Sequence, residues 1–210
     1  MSHPHPATVR VTSSIDVSAL PTTVFGSRDL TWWGTLSFMV IEGMTLVIMA
    51  ATYLYLKPNF THFPPAGTPL PSLGVPTFGI VLYLASIPPI YLLGRAAKRM
   101  DLGGVRRWLV VASVLILAFA VVRGFEFTAL NVRHFSNAYG SAAWLVLGFH
   151  FTLVIVEVVE VIGMALIMWF EDVEPKHFTD ASDIAFYWYF LVGAWIPLYA
   201  LVFLLPYAAG

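Results

Sequence analysis

The stretch Ala142-Ala-Trp-Leu-Val-Leu-Gly-Phe-His150-Phe-Thr-Leu-Val-Ile-Val-Glu157-Val-Val-Glu160-Val-Ile-Gly-Met-Ala-Leu-Ile-Met-Trp-Phe170 decides the fold. It contains no proline, and its only Asp, Glu, Lys or Arg side chains are Glu157 and Glu160. An α-helix rises about 1.5 Å per residue, and a hydrocarbon core roughly 30 Å thick takes about 20 apolar residues to cross. This run is long enough to cross with residues to spare. Four more runs of the same character lie near Trp33–Leu56, Leu73–Gly94, Trp108–Phe127 and Ala185–Pro206. The expected fold is therefore all-α, a polytopic membrane bundle of five transmembrane helices over residues 31–210, with a polar cytoplasmic segment over 1–30. Between the first two spans, Pro58-Asn-Phe-Thr-His-Phe-Pro-Pro-Ala-Gly-Thr-Pro-Leu-Pro71 cannot continue a helix, and Pro88-Pro89 predicts a kink inside the second.

Composition agrees with this reading. Of 210 residues, 59% are hydrophobic and 11% charged, and the mean hydropathy is +0.79. A soluble domain carries about 25% charged residues because its surface faces water. A net charge of −1 supplies no basic field for nucleic acid, and the absence of cysteine excludes disulfides, thiolate metal sites and cysteine nucleophiles. Residues 1–30 show no basic stretch followed by an apolar one, so no cleaved signal peptide is expected.

Lysine and arginine placement predicts orientation. With the N-terminus inside, Arg10, Arg28, Arg95, Lys98, Arg99, Arg106, Arg107 and Lys176 fall on the cytoplasmic side, and only Lys57 and Arg133 fall in outside loops. An odd number of spans then puts the C-terminus outside. Trp32, Trp33, Trp108, Trp144 and Trp169 lie near span ends, where indoles anchor at the interface. The basic loop from Arg95 to Arg107 reads as a topology signal in contact with anionic headgroups, and the acidic stretch Glu171–Asp180 as a solvated or partner-facing loop.

The informative residues are the acids inside the apolar runs: Glu42, Glu126, Glu157 and Glu160. A mid-bilayer carboxylate costs about 2.5–3.5 kcal/mol on insertion scales, whereas each Leu, Ile, Val or Phe returns about 0.3–0.6. The fourth span can insert, but its acids should meet other helices, a wet cavity, a headgroup or a partner subunit. Glu157 and Glu160 are i, i+3 neighbours, and His150, seven residues earlier, falls on nearly the same stripe. A di-metal carboxylate site would use Glu-x-x-His pairs, and the pair here is Glu-x-x-Glu, so no metal is expected. A proton relay and a polar interhelical seam that holds lipid or water both remain, and the seam is favoured. Arg123 and Glu126, also i, i+3, are expected to pair along the third span and ease its insertion. No phosphate-binding loop, nucleophile elbow or His-Glu-x-x-His motif is present, and His150 alone lies well inside a run, which argues against a resident haem.

Three segments, in order along the chain, resemble a known family. Trp32-Trp-Gly-Thr-Leu-Ser-Phe-Met-Val-Ile-Glu42-Gly resembles the helix of haem-copper oxidase subunit III that carries an intramembrane glutamate. Asn137-Ala-Tyr-Gly-Ser141, then Gly148-Phe-His150, is similar to the start of that family's penultimate helix. Lys176-His-Phe178 and Tyr187-Trp-Tyr-Phe-Leu-Val-Gly-Ala-Trp195 resemble its closing signature. Five spans match the short bacterial form. The chain departs from the pattern at Leu153, Tyr189 and Val192, where the family often has His, His and Asp, and Glu157 and Glu160 lie outside it.

The resemblance implies a non-catalytic subunit III of a bacterial respiratory terminal oxidase, a cytochrome c or quinol oxidase that translocates protons as a complex. It implies multi-pass residence in the bacterial inner membrane and packing on subunit I. Haem and copper would reside in partner subunits, with no catalytic, cofactor or metal residue in this chain. Phospholipid would bind in a cleft between the first helices and the remaining bundle, and the subunit would support proton uptake during oxygen reduction. Glu42 and His150 are the positions carried over, as lipid-cleft or proton-supply residues. Two alternatives are an accessory or activation protein of a nitric oxide reductase and a small multi-span transporter, although no pseudo-symmetry between halves supports the latter.

Because the chain has no cysteine, single introduced thiols report orientation cleanly. In intact cells a membrane-impermeant maleimide should label His134→Cys and spare Met100→Cys; the opposite pattern would invert the topology.

Overall fold

A computed structural model describes residues 23–209, which form helices and connecting loops without a strand. Most of the expected polar segment 1–30, including Arg10, lies outside the described residues. The helices are α1 (Leu30–Leu56), α2 (Gly74–Ala85), α3 (Ile87–Lys98), α4 (Leu102–Ala129), α5 (Ala138–Phe170), α6 (Pro175–Tyr199) and a short α7 (Leu205–Ala209). With α2 and α3 counted as one crossing, five are long and apolar enough to span a membrane among the described residues. The fold is thus an all-α membrane bundle.

Helix starts are set by polar caps. Asp101 accepts from the Gly104 amide at 3.0 Å, and Asn137 accepts from that of Gly140 at 2.8 Å. Each satisfies an amide that has no intrahelical acceptor. Gly140 is required where it stands, because a Cβ there would come 2.5 Å from the Arg133 carbonyl oxygen. The proline-rich loop is tied to the loop after α4: Asn131, at a positive φ of 54°, donates to the Leu70 carbonyl at 2.8 Å.

The second span breaks at Ser86, immediately before Ile87-Pro88-Pro89. Two prolines in succession remove two amides, which leaves carbonyls of the preceding turn without their usual donors. A side-chain chain braces the break: Trp188 Nε1 donates to Ser86 Oγ at 2.7 Å, and Ser86 Oγ donates to the Tyr83 carbonyl at 2.6 Å. Pro197 lies inside α6, and a π-helical turn over Ala200–Leu204 follows it, an adjustment typical of transmembrane helices with a missing amide.

One expectation is corrected. Much of Glu171–Asp180, read as a loop, is the first turn and a half of α6, which begins at Pro175, ten residues before the apolar run. Pro175 occupies the first helical position, where no amide bond is lost, and the Glu174 amide donates to His177 Nδ1 at 3.1 Å. The solvated end of the helix is stabilised by caps and has no need of hydropathy.

The core lies among α2 to α6, with Trp188 and Trp195 its largest buried side chains. α1 is peripheral: it packs on α5 and α6 and buries only Leu46 and Tyr53. Tyr53 joins Phe63 and Tyr139 in an aromatic cluster with ring centroids 5.2 to 5.7 Å apart, which fixes the C-terminal end of α1. Trp188→Phe should lower the melting temperature in detergent by the equivalent of about 1–3 kcal/mol, since it removes the only donor to the buried Ser86 oxygen among the described residues. An unchanged melt would show that the break needs no brace.

Candidate functional site

A cleft of about 660 Å³ opens between the N-terminal half of α1 and helices α5 and α6, while Trp32 at the start of α1 stacks on Phe186 of α6 with ring centroids 5.4 Å apart. Gly34, Phe38 and Glu42 line it from α1, Glu160 and Gly163 from α5, and Asp180, Asp183 and Tyr187 from α6. Midway along, the Tyr187 hydroxyl donates to Glu42 Oε2 at 2.6 Å, the one polar tie between α1 and α6 at this depth among the described residues. One residue later Gly43 lets the helices approach: a Cβ there would sit 3.4 Å from the Phe190 ring. Beyond that contact the α1–α6 groove is apolar, about 550 Å³, and lined by residues such as Leu46, Val47, Leu198 and Leu201. The cleft is therefore acidic toward the end where α1 begins and greasy toward the other.

The stripe expected on α5 is divided by the packing. Glu160 is exposed on the cleft wall, whereas Glu157 and His150 are 0% exposed in the interior. His150 Nε2 donates to the Leu191 carbonyl at 3.1 Å, which leaves Nδ1 as the ring's acceptor. The His150 ring lies 4.9 Å from Trp195 and 6.1 Å, at right angles, from Tyr83.

Arg123 and Glu126 form an ion pair, Nη1 to Oε2 2.9 Å, with both side chains 0% exposed. The pair does more than neutralise one helix during insertion. The guanidinium lies 3.4 Å from the centroid of Trp195 on α6 and 4.8 Å from that of Phe119, and Phe119 stacks on Tyr83 of α2 at 3.9 Å. Arginine's planar, weakly hydrated cation suits such aromatic faces. Gly79 of α2 closes the pocket over the carboxylate, and a Cβ at that position would overlap Glu126 Oε1. Three spans thus converge on one charge pair.

Sequence reasoning missed Asp180, Asp183 and Tyr187 as members of the cleft. Their signal was present as the helical spacing Asp180, Asp183, Ile184, Tyr187, but it fell across the presumed loop boundary. Tyr83 was missed because a tyrosine in an apolar run reads as core. No group of three or more His, Asp or Glu side chains suited to a metal occurs among the described residues.

Removing one partner of a buried ion pair leaves an uncompensated charge and typically costs about 3–5 kcal/mol, whereas replacing both by apolar groups is often near neutral. Arg123→Met should destabilise the protein by about that amount, and Arg123→Met with Glu126→Leu should recover most of it. Denaturant unfolding in micelles measures both, and additive losses would show the two side chains to be uncoupled.

No family model matches the chain. Cytochrome c oxidase subunit 3 of Thermostichus vulcanus is 25% identical over 177 residues, covering 82% of this chain and 86% of that protein. Cytochrome c oxidase subunit 3 of Synechocystis sp. is 24% identical over 185 residues, covering 86% and 78%. A probable cytochrome c oxidase subunit 3 of Nocardia farcinica is 26% identical over 175 residues, covering 81% and 85%. The similarity runs through most of the chain in relatives from several bacteria, so this five-span bundle is a divergent homologue of bacterial proteins named cytochrome c oxidase subunit 3.

Proposed function

We propose that the chain is subunit III of a bacterial haem-copper terminal oxidase, packing on the redox subunit I with its N-terminus in the cytoplasm. In this reading it resides in the inner membrane, binds phospholipid in the cleft beside α1 and supports proton uptake by the catalytic subunit. The observation that carries it is the cleft itself. Between the contacts that tie α1 to α6, Trp32 on Phe186 and Tyr187 to Glu42, a lipid-sized space opens, and the groove beyond Gly43 is apolar and suits acyl chains. Glu42, with its Tyr187 partner, stands where the acidic and apolar halves meet. Haem and copper belong to the partner, and this chain contributes packing, lipid retention and an acidic approach for protons. His150 holds the interior of α5 against α6 through the Leu191 carbonyl.

Gentle detergent purification of this chain should recover a large subunit with haem and copper spectra. Recovery as a haem-free protein active in transport would overturn the reading. In the assembled complex, Glu42→Ala should leave initial oxygen consumption nearly unchanged while bound phospholipid falls and activity decays faster over successive turnovers. Immediate and complete loss of activity in a fully assembled complex would instead assign Glu42 to the chemistry.

A further inference from the structure

The centre of the bundle gathers polar atoms that no group among the described residues satisfies. They are both carboxyl oxygens of Glu157, Glu126 Oε1, His150 Nδ1, the Tyr83 hydroxyl, Trp195 Nε1, and Arg123 Nε and Nη2. All six side chains are essentially without exposed surface. A buried polar atom left unpaired costs about 1–3 kcal/mol, and more when charged. So many together would cancel most of the roughly 5–15 kcal/mol that holds a domain folded. They are also complementary in kind. Trp195 and Arg123 can only donate, an ionised Glu157 or Glu126 and His150 Nδ1 accept, and Tyr83 does both.

These groups are neighbours. Arg123 lies over Trp195, Trp195 lies beside His150, and the His150 ring faces Tyr83. Glu157 lies seven residues along α5 from His150, on nearly the same stripe, and three residues from Glu160, which lines the cleft with Glu42 and Tyr187. Donors and acceptors that are close but not bonded to one another are the setting in which proteins hold internal water, each molecule making about three hydrogen bonds.

We propose that Glu157, Tyr83, His150, Trp195 and the Arg123–Glu126 pair bind a file of internal water molecules that is continuous with the cleft at Glu160. This deepens the cleft reading above by extending that cleft into the interior as a site for water and for the protons water carries. Glu42 and Glu157 lie at similar depth, roughly 18–20 Å from the bundle face where α1 begins, at about 1.5 Å per residue. His150 and Arg123 lie a further two turns or so along the same direction, so the file runs from mid-membrane toward the opposite side. A proton accepted at the cleft end is matched by one released along the file. Each O–H or N–H bond broken is matched by one formed, and no oxidant or reductant is needed.

The test uses the purified protein, with whatever subunits accompany it, in lipid nanodiscs. A brief X-ray pulse generates hydroxyl radicals from water and marks side chains that touch it. Tyr83, His150 and Trp195 should be modified at doses that modify the exposed Met100. After rapid mixing with oxygen-18 water, the heavy label should appear at the same three residues without unfolding. Gly163 lines the cleft, and a Cβ there meets open space, so Gly163→Leu folds and narrows the entrance. In that variant the heavy label should be lost or delayed at all three residues while Met100 is unaffected. In the unmutated protein the Trp195 indole N–H should exchange with deuterium, read by resonance Raman, without global unfolding. Absence of the label from all three aromatic residues, or indole exchange only on unfolding, would overturn the proposal. Each readout concerns this chain alone, so it stands or falls apart from recovery of haem and copper.

Discussion

Hydrocarbon offers no hydrogen-bond partner, so every carbonyl, carboxylate and cation within the bundle must find one in the protein or in water it encloses. This constraint decides the arrangement of the interior. Arg123 and Glu126 answer one another at 2.9 Å, and the remaining face of the guanidinium is met by the rings of Trp195 and Phe119. Because those rings come from α6 and α4, and Gly79 of α2 covers the carboxylate, one ion pair sets the distance between three spans. The helices can approach only as closely as that pair and its aromatic walls allow.

The same constraint explains how the breaks are tolerated. Pro88-Pro89 and Pro197 each leave backbone acceptors without donors. At the first break a buried indole, Trp188, reaches across from α6 to the Ser86 hydroxyl. At the second the helix widens to a π turn, and the neighbouring Tyr199 hydroxyl meets Thr77 Oγ1 at 2.8 Å. Both repairs link α6 to the second span, which makes α6 the axis against which the rest is registered. α1, which contains no such break, is held at its C-terminal end by Tyr53 among Phe63 and Tyr139, and at mid-depth by Glu42 on Tyr187. Its N-terminal end meets α6 through Trp32 stacked on Phe186, and the cleft is the space left between that contact and Glu42.

The position of the acids follows from that geometry. Glu160 borders the cleft and can meet water or a headgroup there, while Glu157, less than one turn away, is sealed in the interior. Two carboxyls three residues apart in sequence therefore occupy different surroundings. Asp180 and Asp183 bring the first turns of α6 to the same cleft, so its mouth is acidic although no single element of the chain is.

The amino-acid sequence by itself determined the spans, because the free-energy difference between lipid and water is local and additive along a run such as Ala142–Phe170. It also marked the Pro88-Pro89 break, since a missing amide is a property of the residue, and the short-range pairing geometry of Arg123 with Glu126, since i, i+3 spacing places them on one helix face. It pointed toward subunit III of haem-copper oxidases through three short segments in order. Only the tertiary structure decided which acids are buried and which border the cleft, that Tyr187 answers Glu42, and that Trp195 and Gly79 enclose the ion pair. Helical periodicity assigns a residue to a face, but what that face meets depends on contacts between positions more than a hundred residues apart, as Glu42 and Tyr187 are. The start of α6 was hidden for the opposite reason: its first turns are held by caps and a proline in a polar stretch, where hydropathy has nothing to report.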